Sequence, residues 1–182
     1  MTNDILDVSR IENQTLNLNN EQFKLNDVIL STINGIISNT EFKNENRNVR
    51  LLYQPDDNNN NSTFFVDADR EKLVQAISNL LSNAIKFTKE GTITITTARK
   101  KDNQVIISVK GTGTGIESDI LPSLFSKFTT KSFSGIGLGL FICKSIVEAH
   151  GGKIWAENNN KNTHGEKGAS FYFTLPTINR IN

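Results

Sequence analysis

Hydrophobic residues recur with two different periods along this chain, and the two periods predict an ordered set of helices and strands. A helical period marks four segments, at residues 1–14, 26–42, 69–87 and 137–150. Alternating or short apolar runs predict strands at residues 23–25, 49–54, 64–66, 92–99, 104–110, 153–157 and 169–175. A short helix is predicted near residues 120–128, and polar loops are predicted at 43–48 and 56–62.

Capping residues give these elements their expected limits. Asn26 and Asp69 are of the types that favour the N-cap, so helices are expected to begin directly after them. Gly91 is expected to end the central helix, because glycine is favoured just past a helix C-terminus. The core-facing stripe of the central helix is expected to consist of Leu73, Ile77, Leu80, Ala84 and Phe87.

The order of the elements predicts the fold class. Strands occur as hairpins between long helices and do not alternate with helices in βαβ units. This arrangement predicts a two-layer α/β sandwich, in which a mixed sheet of about five strands carries three main helices on one face. Residues 1–20 are expected to form the end of a longer helix and a linker, and residues 21–178 are expected to form one domain.

Charge and composition exclude several classes of partner. The chain has 182 residues, with 20 Lys+Arg and 19 Asp+Glu, so it is nearly neutral and gives no support for a nucleic-acid partner. Its apolar runs are far too short to span a bilayer, so no membrane contact by this domain is expected. The domain is predicted to be cytoplasmic, and a membrane anchor elsewhere in a full-length protein stays open.

Three polar residues of the central helix, Asn79, Asn83 and Lys86, follow the spacing i, i+4, i+7 and are predicted to share one stripe. Asparagine is unusual inside a helix, because its amide competes for backbone hydrogen bonds. A polar flank that happens to carry two asparagines explains this stripe without any function. In the functional interpretation, Asn83 offers its carbonyl oxygen to Mg²⁺ and Lys86 neutralises a phosphate.

The sequence GIGLGL at residues 135–140, termed the second glycine turn, directly precedes the last long helix. A glycine-rich entry exposes backbone N–H groups at the positive end of a helix, which suits phosphate groups. A flexible connection would explain one glycine but hardly three alternating ones. The spacing fits neither a dinucleotide-binding G-x-G-x-x-G nor a Walker loop, so both of those site types are rejected.

The sequence GTGTGI at residues 111–116, termed the first glycine turn, directly follows a predicted strand. Its glycines Gly113 and Gly115 would let the backbone lie close to a planar base. Phe125 and Phe128 are expected to be core anchors of the following segment. Residues 129–134 are short and polar and are interpreted as a mobile lid, with Lys131 as a candidate phosphate contact.

The ordered set of motifs is more specific than any one of them. In order, they are NLLSNAIKFT, VKGTGTGI, LFSKF, GIGLGLFICKSIVEAHGGKIWAE and GASFYFTLP. This set resembles the N, G1, F, G2 and G3 boxes of the catalytic ATP-binding domain of sensor histidine kinases, in the GHKL superfamily. The opening NDILDVSRIE also resembles the end of the second dimerisation helix of those kinases. The resemblance covers almost the whole chain and implies the Bergerat-type ATP-binding fold.

The resemblance implies specific roles. Asn83 would be the Mg²⁺ ligand, and Lys86 would contact phosphates. Asn79 stands where ATP-hydrolysing relatives carry a glutamate that activates water; since an amide cannot accept that proton, transfer to a protein acceptor is expected instead of hydrolysis. Residues 129–135 would form a short ATP lid. The expected contacts of Mg²⁺-ATP are Asn79, Asn83, Lys86, Gly111, Gly113, Gly115, Ile116, Lys131, Gly135, Ile136, Gly137, Leu138, Gly139 and Leu140.

Two departures from the family pattern qualify these expectations. The family has an aspartate where this chain has Gly111, and that carboxylate would accept a hydrogen bond from the adenine amino group. Its loss is expected to cost about 1.5–3 kcal/mol of nucleotide affinity. A natural and an engineered origin of Gly111 are both open. Neither histidine resembles a phosphoacceptor: His150 is expected to take a C-cap role, which favours a cation, at a helix end, and His164 lies in a polar loop.

These expectations together predict an ATP-binding kinase domain that donates the γ-phosphate to a histidine on a dimerisation domain absent from this chain. A response regulator receiver domain would be the further partner. The alternative is a degenerate, non-catalytic signalling or scaffolding module, which Gly111 favours. An ATPase of the GHKL type is the third hypothesis, and Asn79 argues against it.

Overall fold

A computed structural model describes residues 2–13, 15–38, 48–55, 63–130, 136–159 and 167–178. The predicted polar loops at 43–48 and 56–62 lie almost wholly outside these described residues. The helices are α1 (Thr2–Glu12), α2 (Leu25–Ser38), α3 (Arg70–Phe87) and α4 (Gly139–Ala149), with a 3₁₀ turn at Leu121–Ser123. The strands are β1 (Asn20–Lys24), β2 (Val49–Pro55), β3 (Phe65–Asp69), β4 (Gly91–Lys100), β5 (Gln104–Gly111), β6 (Ile154–Asn158) and β7 (Ala169–Pro176).

Five strands form one mixed sheet, as the sequence predicts, and their order in it is β2-β4-β5-β7-β6. β2 pairs with β4 in parallel, and the other three pairs are antiparallel. β4 and β5 form a hairpin, as predicted, and its register places Lys100 opposite Gln104. β1 and β3 form a separate antiparallel pair beside the helices. The result is a two-layer α/β sandwich.

The helices α2, α3 and α4 bury their apolar stripes in one core against the sheet. Leu73, Ile77 and Leu80 of α3 are completely buried there, as their helical spacing predicts. Ile93 and Ile107 meet them from the sheet, because alternate residues of β4 and β5 point to the same face. The core therefore fixes which side of α3 remains for other chemistry. None of the helices in the described part has the length and apolar character needed to cross a bilayer.

The N-terminus of α3 shows how distant elements are joined. Asp69 is the N-cap, as predicted, and its Oδ1 accepts a hydrogen bond from the Lys72 N–H at 3.0 Å. The Asp69 N–H donates to Nε2 of buried His150 at 2.9 Å. An accepting Nε2 carries no proton, so Nδ1 holds it and donates to the Ile146 carbonyl at 2.7 Å. The predicted C-cap position of His150 is confirmed, but its cationic character is wrong: a neutral ring ties the end of α4 to the start of α3.

Several predicted element limits are wrong for identifiable reasons. α2 begins at Leu25, so Asn26 lies inside its first turn and is not the N-cap. α3 ends at Phe87, and Gly91 begins β4. Phe87 is 47% exposed and does not belong to the core stripe.

The chain between the first glycine turn and α4 also differs from its prediction. The helix predicted at 120–128 is reduced to the 3₁₀ turn Leu121–Ser123, which contains a proline at its start. Phe125 packs against the core as expected, but Phe128 is 66% exposed and is not an anchor. α4 begins at Gly139 and not at Gly137, because Gly137 has a φ of 73°, which lies in the left-handed region.

Candidate nucleotide site

A cavity of about 630 Å³ opens between the end of α3, the first glycine turn and the start of α4. This volume lies in the range of small-molecule sites, which is roughly 300–1,000 Å³. Its described lining is Asp4, Ser82, Asn83, Ala84, Lys86, Phe87, Thr88, Gly111, Gly113, Thr114, Gly115, Ile116, Glu117, Ile120, Leu124, Thr129, Thr130, Ile136, Gly137, Leu138, Gly139, Leu140, Ala169 and Phe171. The two glycine turns therefore face the same space.

α3 supplies two of its three predicted polar residues to this cavity. Asn83 and Lys86 both line it, because they lie one turn apart on the side of α3 that is not packed in the core. Asn83 is half-buried, whereas Lys86 is exposed. An amide oxygen and a cation beside one cavity suit a hydrated divalent ion and an anion.

Asn79, the third predicted residue of the stripe, does not line the cavity. Its Nδ2 instead donates to the carbonyl oxygen of Gly139 at 3.4 Å, so it joins α3 to the start of α4. Cys143 lies in the same helix contact, and its thiol donates to the Ala76 carbonyl at 3.3 Å. Burial raises the pKa of Cys143 to about 12, which keeps it a neutral thiol and makes it unsuitable as a nucleophile.

The first glycine turn lies against the C-terminal end of α3. The Thr114 N–H donates to the Phe87 carbonyl oxygen at 3.2 Å. A Cβ added at Gly113 would lie 1.9 Å from that same oxygen, so only glycine permits this approach. The turn is thereby fixed as one wall of the cavity.

Thr88 lies beneath the first glycine turn and was not singled out by the sequence. It is 1% exposed, and a Cβ at either Gly111 or Gly113 would lie 3.0 Å from its hydroxyl oxygen. Its position inside the motif NLLSNAIKFT is the signal that could have identified it. Asp4, Phe87, Thr114 and Glu117 also line the cavity without having been predicted. Phe87 and Thr114 lie inside the motifs NLLSNAIKFT and GTGTGI, which could have identified them, whereas Asp4 and Glu117 lie outside all five motifs of the ordered set.

The second glycine turn leads into the N-terminus of α4. Leu138 is the N-cap residue, is 4% exposed, and makes no side-chain hydrogen bond to the first amides of the helix. The first N–H groups of a helix lack intrahelical partners and carry partial positive charge, which favours an anion beside them. Gly137, Leu138 and Gly139 line the cavity at this point.

The predicted contacts separate into three groups by position. Those that line the cavity are Asn83, Lys86, Gly111, Gly113, Gly115, Ile116, Ile136, Gly137, Leu138, Gly139 and Leu140. Asn79 lies behind the start of α4. Lys131 and Gly135, together with most of the predicted lid, lie outside the described residues.

The comparison with protein families decides the relationship. The model described as "Histidine kinase-, DNA gyrase B-, and HSP90-like ATPase" matches residues 68–179, which is more than half of the chain and includes both glycine turns. The chain belongs to this ATPase family. The relatives of this chain include sensor histidine kinase WalK of Bacillus subtilis strain 168, which is 31% identical over 185 residues. That match covers 97% of this chain and 28% of WalK.

Other relatives of this chain include a sensor protein and a histidine kinase. Sensor protein FixL of Bradyrhizobium diazoefficiens is 38% identical over 112 residues, covering 60% of this chain and 21% of FixL. The chain thus spans less than a third of either curated relative. The nucleotide-free catalytic domain of histidine kinase ThkA is 33% identical with a TM-score of 0.72, covering 86% of this chain and 95% of that one.

Full-length ShkA, solved in complex with AMPPNP, shares the fold at 22% identity and a TM-score of 0.80. That match covers 99% of this chain and 36% of ShkA. ThkA has also been solved in complex with the response regulator protein TrrA, at 30% identity and a TM-score of 0.73, covering 97% of this chain and 48% of that one. The family and these relatives establish an ATP-binding catalytic domain of the histidine kinase type.

Proposed function

We propose that this chain binds Mg²⁺-ATP in the cavity and donates the γ-phosphoryl group to a histidine of a separate dimerisation domain. The observation that carries the proposal is that Asn83 and Lys86 line the same cavity as the first residues of α4. An amide oxygen, an ammonium group and a helix N-terminus then surround one polyphosphate chain. The cavity volume and the ATP-binding family support this assignment.

Each end of the nucleotide has its own wall in this proposal. The phosphates lie at the second glycine turn, where backbone N–H groups and Lys86 neutralise them, and Asn83 ligates the Mg²⁺. The base lies at the first glycine turn, above Thr88. Because phosphoryl transfer depends mainly on positioning and charge neutralisation, no further nucleophile of this domain is required. Lys131 and Gly135 remain candidate contacts of the lid.

Asn79 supports transfer instead of hydrolysis. Its amide is bonded to the Gly139 carbonyl and has no basic atom that could take a proton from water. The attacking group is then the acceptor histidine, whose nitrogen forms the new bond to phosphorus while ADP leaves. A receiver domain of a response regulator is the proposed next partner, by analogy with the ThkA–TrrA complex.

Gly111 is proposed to weaken and broaden nucleotide binding. Gly111 itself supplies no carboxylate, and the nearest side-chain group to this position is the Thr88 hydroxyl. A Cβ here would meet only the Thr88 Oγ1 at 3.0 Å and Ala84 atoms at 3.9 Å or more, so an aspartate fits after a small rotation of Thr88. Gly111→Asp is expected to strengthen ATP binding about tenfold or more and to leave GTP binding unchanged.

Equilibrium titration of Mg²⁺-ATP tests the site. Lys86→Ala is expected to weaken binding about 10- to 100-fold, because a charge-assisted contact to phosphate is lost. Lys89→Ala is the matched control, since Lys89 is exposed three residues later and does not line the cavity. Equal affinities of the two variants would contradict the assignment of the phosphate end.

Transfer is tested with γ-labelled ATP and a separately purified dimerisation domain that carries a phosphoacceptor histidine. The unmodified chain is expected to label the acceptor. The Asn83→Ala variant is expected to leave the acceptor unlabelled. If neither the unmodified chain nor the Gly111→Asp variant binds ATP, the alternative of a non-catalytic module is favoured. Release of free phosphate without acceptor would instead favour an ATPase.

A further inference from the structure

Two successive asparagines at the end of β6 contact the first glycine turn, although no motif of the sequence includes them. The side chain of Asn158 bonds both backbone groups of Ile116. Its Oδ1 accepts from the Ile116 N–H at 2.6 Å, and its Nδ2 donates to the Ile116 carbonyl at 2.7 Å. The Asn158 side-chain amide therefore bonds the N–H and the C=O of one residue, as the backbone of a neighbouring strand would.

Asn159 holds the opposite end of the same turn. Its Nδ2 donates to the Gly111 carbonyl at 3.1 Å, and its Oδ1 accepts from the Ser170 hydroxyl at 2.7 Å. Its own N–H donates to the Gly168 carbonyl at 2.9 Å. The amide of Asn159 is therefore oriented by β7 before it reaches Gly111.

Together the two asparagines fix both ends of a segment that forms one wall of the cavity. Gly111, Gly113, Gly115 and Ile116 all line that cavity. β6 is not the sheet neighbour of β5, since β7 lies between them. The contacts of Asn158 and Asn159 with the first glycine turn therefore extend past β7 and are not part of the backbone pairing between adjacent strands.

We propose that Asn158 is a positioning residue for nucleotide binding, which acts by holding Ile116 and the first glycine turn in the shape that receives the base. This inference rests on the proposed function. Asn158 is itself exposed, so removing its amide opens no hole in the core. A ligand that must order a loosened turn binds more weakly, because the ordering entropy is subtracted from its binding free energy.

The position of Asn158 predicts a split between two ligands. ATP contacts both walls, whereas inorganic tripolyphosphate contacts only the second glycine turn and Lys86. Asn158→Ala is expected to weaken Mg²⁺-ATP binding about three- to tenfold, the equivalent of one or two lost hydrogen bonds. Tripolyphosphate affinity is expected to stay unchanged, and the melting temperature to shift by less than about 4 °C.

Two further variants sharpen the test. Asn158→Asp keeps the shape but replaces the donor to the Ile116 carbonyl by a second acceptor, so it is expected to weaken ATP binding as well. Asn17→Ala, at an exposed asparagine between α1 and β1, is the matched control and is expected to change neither affinity. Hydrogen exchange of the Ile116 amide without nucleotide is expected to accelerate in Asn158→Ala only.

The outcomes separate this inference from the proposed function. Unchanged ATP affinity in Asn158→Ala, or an equal loss of ATP and tripolyphosphate affinity, would overturn the positioning role while the site itself stands. Unchanged exchange of the Ile116 amide would overturn the contact as the cause. Failure of the unmodified chain and of Gly111→Asp to bind either ligand would overturn the proposed function and this inference with it.

Discussion

The two glycine turns border one cavity, but the protein constrains them in different ways. In the first turn, a methyl group on Gly113 would lie 1.9 Å from a backbone carbonyl of α3. In the second turn, a methyl group on Gly139 would lie 3.6 Å from its nearest neighbour, the side-chain Cγ of Asn79, which is an ordinary contact. The glycine at 113 is therefore required by the fold, whereas the fold leaves room at 139.

A glycine motif can therefore meet two separate requirements. At 113 glycine lets one part of the protein approach another, and the turn is then held at both ends by Asn158 and Asn159. At 139 the backbone begins α4, and the space beside it is what a phosphate needs to approach the helix amides.

The fold also requires glycine at 137, because its φ is 73° and an added Cβ would lie 2.8 Å from the Phe128 carbonyl carbon. In the described part of the second turn it is therefore position 139, and not 137, that leaves space beside the backbone. The first glycine turn is the first wall of the cavity, and the second glycine turn is the second wall.

The largest expected effect comes from adding a methyl group to the first wall. Gly113→Ala is expected to lower the free energy of unfolding by about 3 kcal/mol, because the clash is with backbone that cannot rotate away. ATP binding is expected to be lost with it. Urea unfolding followed by circular dichroism measures the change. Gly35→Ala is the matched control: Gly35 lies in α2 with nothing within 4 Å of an added Cβ, so stability is expected to rise by about 0.5–1 kcal/mol.

An unchanged stability of Gly113→Ala would remove the distinction between the walls. It would mean that the end of α3 moves away from the turn, so that the Thr114–Phe87 hydrogen bond does not define the wall.

The second prediction adds the same methyl group to the other wall. Gly139→Ala is expected to leave the free energy of unfolding within about 0.5 kcal/mol of the unmodified value, as for a residue without a steric conflict. Mg²⁺-ATP affinity is expected to fall about tenfold, because the methyl group crowds the amides at the start of α4. Titration and urea unfolding of the same preparation give both quantities. A stability loss as large as that of Gly113→Ala would show that the two walls do not differ.

Local patterns predicted the parts of this fold that depend on neighbours in sequence. The periodicity of α3, the N-cap at Asp69 and the β4–β5 hairpin are confirmed, because each is fixed within a few residues. The parallel pairing of β2 with β4 and the separate β1–β3 pair have no local signal, since distant segments choose them.

The site follows the same division. Asn83 and Lys86 are one helical turn apart, so their spacing predicts that they lie on the same side of α3. Asn79 has suitable spacing too, but the packing of α4 turns its amide towards the Gly139 carbonyl. The Asn158–Ile116 contact joins residues 42 positions apart, and only the assembled sheet brings them together. Spacing predicts which residues share a face, and tertiary contacts decide what that face meets.

A further contrast concerns the groups that hold each side of the cavity. Amides of Asn158 and Asn159, which do not titrate, hold the first wall. α1 supplies Asp4 to the cavity lining. Other carboxylates of α1 attach this helix to the rest of the domain. Lys72 Nζ donates to Asp7 Oδ1 at 2.9 Å, and Gln75 Nε2 donates to Oδ2 at 2.7 Å. Glu12 forms a second ion pair, with Lys127. Acid is therefore expected to affect α1 and to spare the first wall.

The smallest expected effect tests this contrast through Asp7. Burial alone would raise the pKa of Asp7, but hydrogen bonds from Gln75 and Lys72, with the charges of Lys72 and Arg10, lower it below its usual value. A lowered folded-state pKa means that the stabilisation is complete above the unfolded-state pKa of about 3.9 and is lost as pH falls through the folded-state value. Asp7→Asn is expected to reduce the free energy of unfolding by about 1 kcal/mol at pH 7.

The pH dependence of that difference is the decisive measurement. Between about pH 5 and 7 the unmodified chain is expected to exceed Asp7→Asn by a constant amount, and below about pH 4 the gap is expected to close. Asp102→Asn, in the exposed β4–β5 turn, is the matched control and is expected to change the free energy of unfolding at pH 7 by less than about 0.5 kcal/mol. The Ile116 amide hydrogen is expected to be protected from exchange equally in Asp7→Asn and in the unmodified chain, because the Asn158 side chain, which does not titrate, accepts its hydrogen bond. Loss of that protection in Asp7→Asn would mean that α1 and the first wall are coupled, and that one constraint, not two, shapes the cavity.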